Sequence, residues 1–216
     1  VTVVNRGALA AVAAGAAALA VAAVVAVASR PTGSVGAEQA AALASPSPSA
    51  SGPSVAVAPG VLPADAEPVP PVRLRIPEIE VTARVNPVGV NERTGEFEVP
   101  PSVDQIGWYR YGPGLEAEAG SVVIAGHVDS AEQGRGAFYR LRDLAPGDTL
   151  TATGADGTER TYRVVAREEY DKTKIPLERY FARDGRPRLT LITCGGPFDA
   201  DARRYRDNIV VTAEPV

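Results

Sequence analysis

The chain has 216 residues, room for one or two domains, and its 22 Lys and Arg against 26 Asp and Glu leave a formal net charge of -4. That mild acidic excess gives no reason to expect a nucleic-acid partner. One Cys and one His exclude an internal disulfide, zinc-finger spacing and any zinc site made of Cys and His alone, which needs three or four ligands.

The first expected element is a membrane segment. Residues 7–28 are apolar or small without interruption. At about 1.5 Å per residue they would span roughly 30 Å, a bilayer's hydrocarbon thickness. Arg6 precedes the run and Arg30 follows it, so flanking charge alone does not set orientation. The short leader favours a cytoplasmic amino terminus with the bulk of the chain exported. A cleavable signal peptide is the rival, with Ala26-Val27-Ala28 as a small-residue cleavage site, although its apolar core would normally be about 7–15 residues. A buried soluble helix is the third possibility. Residues 1–30 are therefore read as a cytoplasmic tip and transmembrane anchor, or a signal peptide. Either export reading places the lone cysteine outside the cytoplasm.

Residues 31–71 change character. Pro46, Pro48, Pro53, Pro59, Pro63, Pro68, Pro70 and Pro71 are interspersed with Ser, Ala and Gly. Such a stretch buries too little apolar surface to offset its ordering entropy, and reads as an extracellular linker. Part of Ala37–Ala44 has the composition of a short helix.

Residues 72–216 are long enough for one sizeable core. Alternation predicts strands at Val72–Ile76, Val81–Val85 and Gly95–Val99, with Pro77 interrupting and Pro100-Pro101 stopping the third. Val103–Gly120 is looser, and Ser121–Ala125 is a short apolar strand ending in Gly126-His127. Phe138–Leu141 reads as strand or helical turn. Ala145–Asp148 is a turn before a strand at Thr149–Thr153, and Asp156-Gly157 turns the chain into a longer strand, Thr158–Glu168. Pro176–Phe181 is the best short helix, with proline tolerated at its start. The last strands are Pro187–Thr193 and Asn208–Thr212. About eight short strands with few helices favour a mostly β, antiparallel or mixed barrel.

Cys194 follows one strand and His127 another. A thiol becomes nucleophilic as the thiolate, and a nearby imidazole can pair with it and later protonate a leaving amine. Acyl transfer also needs donors aimed at the developing oxyanion. Arg206, two residues before the last strand, is the best placed, and Arg204 has the same parity and remains a rival. The plain alternatives are a small buried cysteine, a strand-end histidine and a solvated arginine run. Gly195-Gly196, which opens the backbone beside the thiol, and the expected export weigh against them.

The segments Val123–Ser130 (VIAGHVDS), Leu191–Gly196 (LITCGG) and Tyr205–Val211 (YRDNIVV) resemble the histidine, cysteine and arginine motifs of the sortases, and their combination is similar to class F, or class E/F-like, members. Ile76-Pro77, Gly107-Trp108-Tyr109, Phe138–Leu141 and Pro146-Gly147-Asp148 add to the likeness. The resemblance implies a closed β-barrel of about eight strands with short helices and long loops. It further implies a cysteine transpeptidase cleaving a Leu-Pro-X-Thr-Gly-like sorting signal between Thr and Gly through a thioacyl intermediate. In that scheme Cys194 is the nucleophile, His127 the general acid and base, and Arg206 the oxyanion or backbone clamp. Thr193 is carried as a pocket residue, and Arg204 has a weaker counterpart. Implied partners are a sorting-signal peptide, an amine of peptidoglycan precursor or a pilin-like protein, and a membrane through residues 7–28. The catalytic domain would be extracellular.

A groove for the signal needs an apolar pocket for leucine, to which Trp108 or Phe181 could contribute unless they are core aromatics. Glu116, Glu118, Glu168, Glu169 and Asp171 could offer calcium-type ligands, but loop acids usually face water, and neither metal nor other cofactor is expected. The alternatives are a hydrolysis-only cysteine peptidase of the same fold and a non-catalytic, tethered cell-surface binding module.

Overall fold

The computed structural model describes residues 33–45, 68–91, 93 and 97–216. The expected anchor at 7–28 and most of the expected linker lie outside the described residues. Among the described residues no helix is long and apolar enough to cross a membrane.

Alternation builds the barrel. The strands in chain order are β1 (Pro71–Ile76), β2 (Val81–Val88), β3 (Ile106–Tyr109), β4 (Ser121–Gly126), β5 (Asp129–Ser130), β6 (Gly134–Arg135), β7 (Thr149–Gly154), β8 (Glu159–Asp171), β9 (Arg188–Asp199) and β10 (Arg204–Pro215). Among the described residues two short α-helices accompany them, α1 (Ala37–Ala44) and α2 (Leu177–Tyr180). Eight strands close in the order β1-β2-β3-β4-β9-β10-β8-β7, and β5 pairs only with β6. The β2–β3 and β4–β9 pairs are parallel, and the other barrel pairs are antiparallel. Every second residue points inward, so Ile124, Leu191 and Val211 share one core with Leu74, Trp108 and Tyr162. The expected mostly β, eight-stranded closed barrel is the fold observed.

Four strands depart from the sequence reading. The first two residues of the expected Gly95–Val99 strand lie outside the described residues, and of the other three Phe97 makes an isolated bridge to Val90. Ile106–Tyr109, read as part of a loose segment, is a four-residue strand held between β2 and β4. β9 and β10 run well past Cys194 and Asn208, to form a hairpin turning at residues 200–203. Cys194 therefore lies inside a strand and not at its end, and Arg204 and Arg206 belong to β10.

A second layer covers part of the outer face. Residues 33–45, within the expected linker, fold against β8. Val35 and Arg167 exchange backbone hydrogen bonds of 2.7 and 2.9 Å. Helix α1 buries Ala40 and Leu43. Gly36 sits at φ +76, and a Cβ there would collide with the Val165 carbonyl oxygen, so only glycine lets the helix start against the strand. The buried Arg188 guanidinium donates to the carbonyls of Asp184, Arg186 and Arg179 at 3.0–3.1 Å, tying α2 and the loop after it to β9.

Candidate active site

Register sets the site. Ser121, Val123 and Ala125 on β4 pair with Arg188, Thr190 and Ile192 on β9, in phase opposite to the core residues Val122, Ile124, Leu189 and Leu191. Both sets face outward. That register ends at Ala125 beside Ile192, and His127, one residue past β4, and Cys194 each follow two residues later in their own segments. Thr193 Oγ1 donates to the Gly126 carbonyl at 2.8 Å and ties the two strands there. On the other side of β9, Cys194 pairs with Asn208 of β10. A register shift between Tyr205 and Asp207 follows, and the exposed Arg206 sits in it. Gly196 makes that shift possible. It takes φ +71 against Asp207, whose carboxylate would meet any Cβ there.

The side chains are partnered as follows. Cys194 is half-buried, and its Sγ accepts from Lys172 Nζ at 3.4 Å. His127 Nε2 lies 2.9 Å from the Pro100 carbonyl. A carbonyl only accepts, so Nε2 carries the proton. Among the described residues no hydrogen bond joins His127 or Arg206 to the thiol. The structure thus places Cys194 on β9, Arg206 on β10 and His127 just past the end of β4, with Lys172 as the thiol's direct partner.

The other expected site residues fall elsewhere. Trp108 faces the barrel interior, is 3% exposed, and donates its indole N–H to the Pro113 carbonyl at 3.1 Å. It is a core aromatic. Thr193 is buried, with its hydroxyl bonded to the Gly126 carbonyl. Arg204 pairs with Asp199 toward the hairpin tip, farther from Cys194 than Arg206. Phe181 is half-buried and packs edge-on to Tyr109 at 5.2 Å, with Phe97 6.0 Å away. Tyr109 lies one step past the Trp108–Ile124 pair, which puts this aromatic cluster four β4 residues, about 13 Å, along the outer wall from His127. A surface pocket of about 290 Å³ lies elsewhere, beside β2, lined by Glu80, Thr82, Asp104, Arg135 and Tyr139 among others.

Two features had no sequence signal. Glu168 is 2% exposed and lies on the outer face, two residues along β8 from the Tyr170–Asn208–Cys194 row. It pairs with Arg179 at 2.9 Å and accepts from Tyr180 at 2.8 Å and Tyr170 at 2.7 Å. Burial, before any other cause, pushes both phenols above the usual tyrosine value. Glu168 is therefore a structural anion holding α2 to the barrel, not a water-facing acid. Among the described residues no group of three or more His, Cys, Asp and Glu is placed to hold a metal ion.

The second feature is a clasp. Tyr205, next to Arg206, donates to Asp129, two residues after His127, at 2.5 Å, and its ring stacks edge-on against Phe198. The clasp links the histidine loop to β10 across β9. The hydrogen bond to Asp129 pushes the Tyr205 phenol up from 10.0 to about 12. A raised tyrosine value means that the folded form holds its proton more tightly, so the clasp is intact below pH 10.0 and is lost as pH rises toward about 12. Tyr205→Phe is expected to remove one late-ionising phenol from the tyrosinate absorbance titration. It should also speed amide exchange across residues 127–135 several-fold. Unchanged exchange would show that the clasp does not hold the loop.

A family model described as the sortase domain matches residues 74–216. Among solved structures, the chain is similar to sortase C-1 from Actinomyces oris (21% identity, TM-score 0.51, covering 67% of this chain and 72% of that one). It is also similar to sortase A from Corynebacterium diphtheriae (20% identity, TM-score 0.52, 68% of this chain and 61% of that one). A third is the lid mutant of Streptococcus agalactiae sortase C1 (16% identity, TM-score 0.51, 67% and 66%). At such identities the likeness is one of fold. No curated protein matches the sequence.

Proposed function

The chain belongs to the sortase family, and from that premise we propose that it is a class F-type (or class E/F-like) cysteine transpeptidase acting on a Leu-Pro-X-Thr-Gly-like sorting signal. The observation that supports the reading is the β4–β9 register, which ends at Ala125 beside Ile192, with His127 and Cys194 each two residues farther along and Arg206 on β10.

In this mechanism the Cys194 thiolate attacks the carbonyl carbon of the Thr–Gly bond and the carbonyl oxygen takes up the charge. Arg206, exposed at the register shift, stabilises that oxyanion or holds the substrate backbone. The C–N bond breaks as His127 gives a proton to the departing glycine amine, leaving a thioester on Cys194. An incoming amine then attacks the thioester, loses a proton to His127 and expels the thiolate. The Phe97–Tyr109–Phe181 cluster suits the leucine. It lies about 13 Å from the thiol end, and leucine is three residues from the scissile threonine, about 10 Å of extended chain before its side chain. In this reading Phe181, and not Trp108, contacts substrate. Thr193 shapes the pocket from beneath, and Arg204 has no direct role.

The remaining parts of the proposal follow the same premise. Residues 1–30 anchor the chain or export it, 31–71 form the linker of which 33–45 dock on the barrel, and 72–216 form the extracellular catalytic domain. The acceptor is an amine of peptidoglycan precursor or of another surface protein.

The test is product identity. The full chain in detergent, given a Leu-Pro-Ala-Thr-Gly peptide and triglycine, is expected to yield a Leu-Pro-Ala-Thr-triglycine product by mass spectrometry. Free Leu-Pro-Ala-Thr alone, even with excess triglycine, would mark a hydrolase. No cleavage across a panel of signals would favour a non-catalytic surface module.

A further inference from the structure

We propose that Lys172 is a further catalytic residue of this site: its ammonium holds Cys194 as the thiolate, so that the imidazolium form of His127 is spent on protonating the leaving amine, and the imidazole left behind takes the proton of the incoming one. The inference rests on the reading of Cys194 as the nucleophile, and assigns thiolate activation to a residue outside the three motifs.

Position comes first. Lys172 immediately follows β8, and its backbone N–H donates to the Arg206 carbonyl at 3.1 Å, which fixes it two residues past Tyr170, the β8 member of the Cys194–Asn208 row. Its Nζ then reaches Cys194 Sγ at 3.4 Å. The neighbouring acid does not compete for it. Asp171 is turned into its own turn, accepting from the Thr173 backbone at 2.9 Å and the Thr173 hydroxyl at 2.5 Å. Among the described residues no carboxylate forms an ion pair with Lys172.

The imidazole supplies the second half. With Nε2–H directed to the Pro100 carbonyl, His127 is not the resting hydrogen-bond partner of the sulfur. An ammonium beside a half-buried thiol favours the thiolate, because the charge pair is worth more at a partly desolvated site than in water. Other charges border the sulfur. Arg206 and Asp207 lie on β10, and Arg142 extends from the turn at 141–143 to within reach of Gly195. Lys172 is the charged group in direct contact with the sulfur.

Thiol chemistry gives a signature that a merely structural role does not. A cation that stabilises the thiolate raises its fraction near neutral pH but lowers its intrinsic nucleophilicity, with a Brønsted slope of about 0.4–0.5. Iodoacetamide alkylation of Cys194 is therefore measured from pH 5 to 11 in the full chain, its Lys172→Met variant and its Lys172→Arg variant. Lys172→Met is expected to react several-fold more slowly near pH 7 and faster at the alkaline plateau, so that the two curves cross. Lys172→Arg keeps the wild-type curve. Lys172→Gln replaces Lys172→Met if the latter does not fold. Peptide turnover at pH 7 should fall in Lys172→Met through kcat with KM unchanged. Superimposed curves, or a uniform slowing without a crossing, would overturn the role of Lys172 and leave Cys194 as the nucleophile. Wild-type Cys194 inert at every pH would overturn the nucleophile reading, and Lys172's role with it.

Discussion

Cys194→Ala is expected to lower kcat/KM for sorting-signal cleavage by at least about 10³-fold and to abolish the covalent intermediate, with little change in thermal midpoint. Covalent catalysis has no substitute once its nucleophile is gone, and the residual rate is what binding and the oxyanion clamp alone can provide. The stability side follows from the surroundings. Cys194 is half-buried on the outer face, outside the core of Ile124, Leu191 and Val211, and its hydrogen bond is to a lysine that can turn to water. His127→Ala should be similarly damaging, by about 10²–10⁴-fold, since general acid–base catalysis spans that range. An Arg206→Ala loss far exceeding that of Arg204→Ala would distinguish the residue at the register shift from the one near the hairpin tip. Both variants are read by steady-state cleavage of a quenched fluorescent signal peptide. A Cys194→Ala protein that cleaves at the wild-type rate would remove the thiol from the mechanism.

Glu168→Ala is expected to cost about 3 kcal/mol and lower the midpoint of thermal unfolding by about 10 °C. Glu168 is 2% exposed, and removing it takes the ion-pair partner from Arg179 and the carboxylate acceptor from two phenols, which keep their hydrogen bond to each other. The Arg179 side chain is 21% exposed, which permits some rehydration and keeps the cost at the lower end of the range for a broken buried pair. The cost belongs to the orphaned charge and not to the pair itself. Replacing both partners, Glu168→Leu with Arg179→Leu, should therefore recover most of the loss. Differential scanning calorimetry of the three variants reads this directly. An additive loss in the double variant would mean that the two side chains do not act as a unit.

The strands that carry strict alternation were legible, because one inward face repeats every second residue. Val72–Ile76, Thr149–Thr153 and Thr158–Glu168 fall close to β1, β7 and β8. Ile106–Tyr109 was not legible, because four residues carry no readable period and their strand state comes from pairing with β2 and β4. The run through Cys194 was cut short because Gly195-Gly196-Pro197 reads as a breaker. In the fold, Gly196 supplies the positive φ that carries β9 through a register shift. The outer face misled most. A barrel strand whose outer residues are covered by α1 and α2 looks the same in sequence as one facing water, so Glu168 read as a water-facing acid.

The candidate site was legible through its motifs, which already mark His127, Cys194 and Arg206. Lys172 carries no such mark. It lies twenty-two residues before the cysteine, in an Asp-Lys-Thr-Lys turn of ordinary composition, and reaches the sulfur only because β8 and β9 flank the same strand, β10. Tyr205 and Asp129 sat inside recognised motifs, yet nothing in their spacing joins them across β9.

The most direct measurement is trapping of the acyl-enzyme. The full chain is mixed with a sorting-signal peptide in the absence of an amine acceptor, quenched in acid and analysed by intact mass and peptide mapping. The expected result is a mass increase equal to the peptide up to its threonine, located on Cys194, absent in Cys194→Ala and discharged by triglycine. Cleavage of the peptide at full rate with no adduct, and equally in Cys194→Ala, would contradict it.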